Sequence, residues 1–359
     1  MTGYSSLHRF ALFTACCTFL LIIAGGLVTS TQSGLSVPDW PNTYGHFMFA
    51  FPFDQMVGGI FYEHSHRMIA SVVGFLTVIL AVWLWKRDDR RWVHILGLAA
   101  LGAVVAQGVL GGLTVLFMLP TPISVTHAAL AQTFFAIVSS IALFTSRWWR
   151  SDQPALNEEK HRISAVKLSI LTTVAVYVQL IIGALMRHTG SGLAVPDFPL
   201  AYGQLFPSLS PEAITGYNNQ LVRSDVRLAA DGAITSAQII IHMAHRFWAA
   251  LVAVMVVWTS VRLYGTSSRR LSGFAFALAG LLLLQITLGA LTVISLKAVD
   301  VTTAHVATGA LLLVMCVLAT LHTAKLSGVR FSRSQAEQHS RSQAPLGSAA
   351  SPSVREAAI

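Results

Sequence analysis

Eight stretches of this chain are apolar over a length that crosses a bilayer, and nothing else in the sequence restricts its fold so tightly. They run near residues 10–29, 65–85, 93–117, 123–145, 164–186, 238–261, 272–296 and 302–324. Each is close to the roughly 20 helical residues needed to span a hydrocarbon layer about 30 Å thick. Inside lipid every backbone amide must be satisfied within its own segment, which leaves the helix as the form of each run. The sequence therefore predicts an all-α polytopic membrane protein of eight transmembrane helices. Only 11% of its 359 residues are charged, against roughly 25% in soluble domains, so no large water-soluble domain competes with this reading.

The net charge of +9 does not describe a nucleic-acid surface. Most of the Lys and Arg fall in alternate connections of an eight-span serpentine: Lys86, Arg87, Arg90 and Arg91, then Arg147 to Lys167, then Arg262, Arg269 and Arg270, then the tail from Lys325. The connection from Thr31 to Tyr62 has none. The positive-inside rule then places both termini in the cytoplasm. The first ten residues are too short and too poor in Arg for a cleaved presequence, which favours a bacterial inner membrane over an organelle. From about Ser327 the tail turns to Ser, Gln, Ala and Pro and is expected to be disordered. Cys16, Cys17 and Cys316 all fall within spans, so no loop disulfide is expected.

The chain repeats itself. Residues 25–45 and 183–203 agree at 12 of 21 positions at a fixed offset of 158, including Ser33/Ser191, Gly34/Gly192, Pro38/Pro196, Asp39/Asp197 and Pro41/Pro199. Gln107, Gly111, Thr114 and His127 recur as Gln285, Gly289, Thr292 and His305 at an offset of 178. An even number of spans per copy makes these parallel repeats about an axis along the membrane normal. The expected organisation is a four-helix half over 1–150, a second over 151–326, and a cytoplasmic tail over 327–359. The second outer loop is 21 residues longer than the first and its side carries Arg187, Arg223 and Arg227. The Ser-Gly-Leu-x-Val-Pro-Asp-aromatic-Pro loops read either as interfacial turns or as rigid lids over the outer end of each bundle.

Each half holds two histidines in the same frame. Glu63-His64-Ser65-His66-Arg67 opens span 2, and His127 follows at the start of span 4; His242-Met243-Ala244-His245-Arg246 and His305 repeat the arrangement. Spans 2 and 4 run in the same direction and are diagonal partners in an up-and-down bundle. Facing imidazoles across that diagonal would form a slot for an iron porphyrin with both axial positions filled. Polar groups in the membrane are costly and mark function. Structural zinc wants four close ligands, and a proton relay wants carboxylates at mid-depth; the sequence offers neither. Arg67 and Arg246 either snorkel to headgroups or pair with haem propionates. Glu63 precedes His66 by three residues and so shares its face. It is either an interfacial acid or a group acting on a macrocycle in the first half only, since His242 stands at its counterpart. His64 and His242 read as interfacial.

These features together resemble the haem A synthase family of bacteria and mitochondria, over about residues 10–325. The resemblance implies oxidation of the C8 methyl of haem O to a formyl group by two successive hydroxylations. It implies haem b as cofactor on His245 and His305, and haem O as substrate on His66 and His127 with Glu63 needed for turnover. Haem O synthase is the implied functional partner, with an electron acceptor that the sequence leaves unidentified. Some relatives carry a cysteine pair in the first outer loop; this chain has none between Thr31 and Tyr62. A bis-histidine electron-transfer cytochrome is the alternative.

Overall fold

A computed structural model of the protein describes residues 2–153, 163–223 and 232–328. Within them eight long helices occupy the eight predicted spans: α1 (Thr2–Ser30), α2 (Gly59–Arg87), α3 (Arg91–Leu116), α4 (Thr121–Thr145), α6 (Ala165–His188), α8 (Ser236–Tyr264), α9 (Arg269–Ile294) and α10 (Val299–Leu326). Two shorter helices were not foreseen: α5 (Arg147–Arg150), which follows α4 at the basic end, and α7 (Pro211–Arg223), in the long second loop. No strand occurs among the described residues. Arg227, most of the polar segment 151–162 and the tail beyond residue 328 lie outside them.

The long helices form two four-membered rings. In the first, α1 packs on α2 and α4, and α3 packs on α2 and α4, which leaves α2 and α4 on a diagonal. In the second, α6 packs on α8 and α10, and α9 packs on the same two, with α8 opposite α10. The rings meet where α10 lies against α1 and α4, and α4 against α6. Burial follows from this placement. Half of the most apolar window of α4 and of α10 is covered by protein, but only 17% of that of α3 and of α9. The uncovered faces are apolar, as lipid demands. Val72, Phe75, Val78 and Val82 on α2 and Leu251, Val254, Val257 and Val261 on α8 are exposed in the same register.

The join between rings is polar only in patches. Thr133 and the Tyr177 hydroxyl lie 2.8 Å apart, and Thr303 donates to Ser30 Oγ at 3.1 Å. At the basic end Asp88 is buried between Arg90 and Arg150, at 2.7 and 2.8 Å, while Trp148 stacks on His322 with centroids 4.1 Å apart. Burial opposes ionisation of Asp88, but the two guanidiniums outweigh it and hold the carboxyl below its ordinary range. α5 and the α2–α3 turn are thereby fixed to the end of the bundle.

Candidate haem-binding site

At the end of the bundle away from the basic clusters, both outer loops fold back over the rings. Each is a small built structure. The Asp39 carboxylate accepts from Tyr44 N and Gly45 N, both at 2.8 Å, and Tyr44 Oη donates to Ser36 O at 2.6 Å. Asp197 accepts from Tyr202 N and Gly203 N at 2.8 and 2.9 Å, and Tyr202 Oη donates to Ala194 O at 2.8 Å. Both loops carry a cis X-Pro bond, Trp40–Pro41 and Phe198–Pro199. Burial opposes ionisation of Asp39, but the N–H groups of Gly45 and Tyr44 together with Arg67 hold its carboxyl below the usual range.

The arginines bolt these loops to the rings. Arg67 donates from Nη1 to Asp39 O and Asn42 O at 2.8 and 3.0 Å, and from Nη2 to Val37 O at 2.8 Å and to Glu63 Oε1 at 2.6 Å. Arg246 donates to Leu200 O, Val195 O and Asp197 O at 2.9, 3.1 and 2.6 Å. Loop carbonyls take these donors, with Glu63 sharing one of those of Arg67. Guanidinium suits the task because its planar fork reaches several carbonyls at once.

Glu63 is not an exposed interfacial acid. It is 3% exposed, and its second oxygen accepts from Val37 N at 2.8 Å. His64 and His242, expected at the interface, are also buried, each 2% exposed. His64 Nδ1 pairs with Thr43 Oγ1 at 3.1 Å, and His242 Nδ1 donates to Ser191 O at 2.9 Å. The reason is the loops themselves: positions one turn from the helix start are covered once the chain folds back over them. His242 therefore does for the second loop part of what Glu63 does for the first.

The four framed histidines are half-buried and share one feature. Each points its imidazole at a glycine of a neighbouring helix. A Cβ placed on Gly25 of α1 would come within 3.1 Å of His66 Cε1, and one on Gly111 of α3 within 3.4 Å of His127 Cε1. On Gly183 of α6 and Gly289 of α9 it would come within 3.1 and 3.0 Å of His245 and His305 Cε1. The glycines correspond across the repeat, Gly25 to Gly183 and Gly111 to Gly289. The Nδ1 atoms of His66, His127 and His305 are buried with no partner among the described residues. Burying a polar nitrogen without a hydrogen bond is costly, so three orphans at matched positions ask for a ligand. Imidazole nitrogen is the donor that iron takes, and these residues fit an iron porphyrin. Among the described residues no cluster of three or more His, Cys, Asp or Glu could hold a bare metal ion.

Sequence reading missed three contributors. Gln179 Nε2 lies 3.2 Å from His245 Nδ1, and Gln285 Nε2 lies 3.5 Å from His305 Nε2. Gln285 was visible as a repeat match, but Gln179 replaces Leu21 of the first half and only its polarity in mid-span could have flagged it. The third is Trp40, whose indole covers Gly112 of α3 so closely that a Cβ there would lie 2.5 Å from the ring. The second half carries Ala290 and the smaller Phe198 at the corresponding positions.

A profile of the COX15-CtaA family, described as cytochrome oxidase assembly protein, matches residues 8–317. The chain is 30% identical over 214 residues to the heme A synthase of Shouchella clausii, covering 59% of this chain and 69% of that protein. It is 28% identical over 305 residues to the heme A synthase of Geobacillus kaustophilus, with 84% and 86% covered. The heme A synthase of Beijerinckia indica is 28% identical over 313 residues, with 77% and 81% covered.

Proposed function

The chain belongs to the COX15-CtaA family of cytochrome oxidase assembly proteins, and from that premise we propose that it is a haem A synthase, a membrane oxidoreductase that converts the C8 methyl of haem O to a formyl group. The observation that supports this best is the set of four half-buried imidazoles, each set against a glycine at matched positions of two helix rings, with a buried carboxylate beside the first set only. His66 and His127 hold the iron of haem O, and His245 and His305 hold haem b. The halves 1–150 and 151–326 are then the reacting and the resident sides of one enzyme. We place it in a bacterial inner membrane with both termini cytoplasmic, with haem O synthase as the source of substrate.

The change is a four-electron oxidation. Taken from water, it consumes one H2O per methyl and releases four protons and four electrons, through a hydroxymethyl and then a geminal diol that loses water. His66 and His127 would hold the substrate iron, and the oxygen is taken from water at the methyl carbon. Glu63 is oriented in advance by Arg67 and Val37 N. Its fixed negative charge stabilises positive charge developing at that carbon. Haem b, when bound, supplies one-electron transfer toward the acceptor. The loop bolted down by Arg67 shields the site from bulk water.

The test is pigment extraction from membranes expressing this chain together with haem O synthase. Haem A that disappears when His66 is replaced is the expected result. Haem b alone, with haem O untouched, would instead make the protein a bis-histidine electron-transfer cytochrome.

A further inference from the structure

The two rings differ at one polar place that the reaction does not use. The turn after α9 and the turn after α3 have the same shape: Leu296 and Lys297 adopt φ of 53° and 65°, Met118 and Leu119 φ of 59° and 60°. Lys297 N donates to Thr292 O at 2.8 Å, as Leu119 N donates to Thr114 O at 2.7 Å. Even the side-chain stems lie alike, each 3.5 Å from where a Cβ would stand on the matching loop glycine, Gly192 or Gly34. Yet one stem ends in an ammonium and the other in a methyl pair. At the end of α6, Arg187 likewise stands where α1 has Thr29. So the second half places two cations where the first has an alcohol and an alkyl chain.

Neither cation forms an ion pair with an acid among the described residues. Burial and the neighbouring Arg187 guanidinium push the Lys297 ammonium below the ordinary lysine range. Arg187 Nη2 donates to Ser30 Oγ at 2.8 Å and to Gly26 O at 3.4 Å, both neutral groups of α1. Among the described residues the only ion pairs are Arg67–Glu63, Arg90–Asp88 and Arg150–Asp88. Asp300, three residues beyond Lys297, pairs with neither cation. Two half-buried like charges repel each other, and burial of an unpaired charge is costly. The arrangement is stable when an anion supplies the missing charge. Ser30 Oγ also accepts from Thr303 at 3.1 Å, and Thr303 lies on α10 two residues before His305, so that anion sits beside the second histidine pair. Arg246 gives three of its five N–H groups to the Leu200, Val195 and Asp197 carbonyls.

We propose that Arg187 and Lys297 form a carboxylate clamp for the propionate side chains of the haem held in the second half. This rests on the reading of His245 and His305 as its iron ligands. The clamp gives the resident haem a second, charge-assisted attachment that a haem in the first half lacks at Thr29 and Leu119. It thereby separates a retained cofactor from a substrate that must leave once oxidised.

The test uses the full chain made in haem-deficient cells, titrated in detergent with protohaem and with its dimethyl ester, whose carboxylates are blocked. Binding to the second half is followed in a background of His66→Ala with His127→Ala. The wild-type clamp should favour the free acid by about tenfold or more, the size of one charge-assisted hydrogen bond. Arg187→Gln combined with Lys297→Leu should abolish that preference while the low-spin spectrum persists. Arg187→Lys, which keeps the charge, should retain most of it and controls for folding. Equal affinity for acid and ester in the unaltered clamp, or a preference that survives the double variant, overturns the proposal. So does an anionic phospholipid that copurifies with the unaltered clamp and is lost from the double variant with the haem preference unchanged; the cations would then be a phosphate site for lipid. His305→Ala separates the two layers. If it removes the haem while the clamp variant changes nothing, only the clamp is wrong. If it leaves haem binding intact, the ligand assignment falls and takes the clamp with it.

Discussion

Gly289→Ala is a one-carbon change whose consequence is readable from the structure. The added Cβ would lie 3.0 Å from His305 Cε1, 3.6 Å from Nδ1 and 3.8 Å from Nε2. Carbon pairs are most favourable near 3.5–4.0 Å, so the imidazole must retreat by about half an ångström or α9 and α10 must part. Such overpacking costs about 1–3 kcal/mol. Alanine returns up to about 1 kcal/mol of that through its better helix propensity. The fold should therefore tolerate the change, with little movement in thermal unfolding. The iron ligand should not, since metal–ligand distances hold to within about 0.2 Å. We expect the purified variant to keep its helical content and to bind haem at least about tenfold more weakly, a loss of about 1.4 kcal/mol. The first half provides a graded control. Gly25→Ala meets His66 at 3.1 Å, while Gly111→Ala meets His127 at an ordinary 3.4 Å, so only the former should impair haem O uptake. The measurements are the haem-to-protein ratio and the low-spin Soret band. Full haem occupancy in Gly289→Ala, or equal damage from Gly25→Ala and Gly111→Ala, would refute the reasoning.

Glu63→Gln should keep haem in both halves and lower the yield of haem A, with haem O accumulating; the amide leaves one buried donor opposed, at a cost of about 1–3 kcal/mol. A normal yield in extracted pigment would remove Glu63 from the reaction. Replacing His245 or His305 by Ala should abolish the resident haem spectrum without preventing membrane insertion, because neither helix depends on an imidazole for its hydrophobicity; an intact spectrum in the double variant would disprove the ligand pair. Asp39→Asn should destabilise the first loop in a pH-dependent way. The Asp39 carboxyl lies below its usual value when folded, so its contribution is present above the unfolded value of about 3.9 and is lost as pH falls through the folded one. Protease protection of the loop should therefore differ between variant and parent at neutral pH and converge below about pH 4; a difference constant with pH would mean that the charge plays no part.

Much of this was legible in one dimension because lipid imposes a one-dimensional rule. Each apolar run had to be a helix, and the observed bounds differ from the expected spans mainly by an added turn or two at the ends, as where α2 begins at Gly59 rather than near residue 65. The repeat was legible too, since Gly25/Gly183 and Gly111/Gly289 are the same residues for the same reason of close approach to an imidazole.

What the sequence could not decide is which polar groups the loops would cover. Glu63, His64 and His242 stand one turn into their helices, a position that is wet or dry according to whether a connection folds over it. Apart from the Glu63 carboxylate on Arg67, Arg67 and Arg246 went to backbone carbonyls of those connections, partners that carry no side-chain signature and so leave no trace in residue type. Gln179 gained meaning only when packing of α6 on α8 brought it to His245. Local hydrophobicity and spacing set the spans and the histidine frame, because both follow from chain geometry within a single helix. The loop bolts, the glycine cradles and the pair of Arg187 and Lys297 come from contacts between helices far apart in sequence. Their cost or benefit exists only once both rings have assembled and excluded water and lipid from between them.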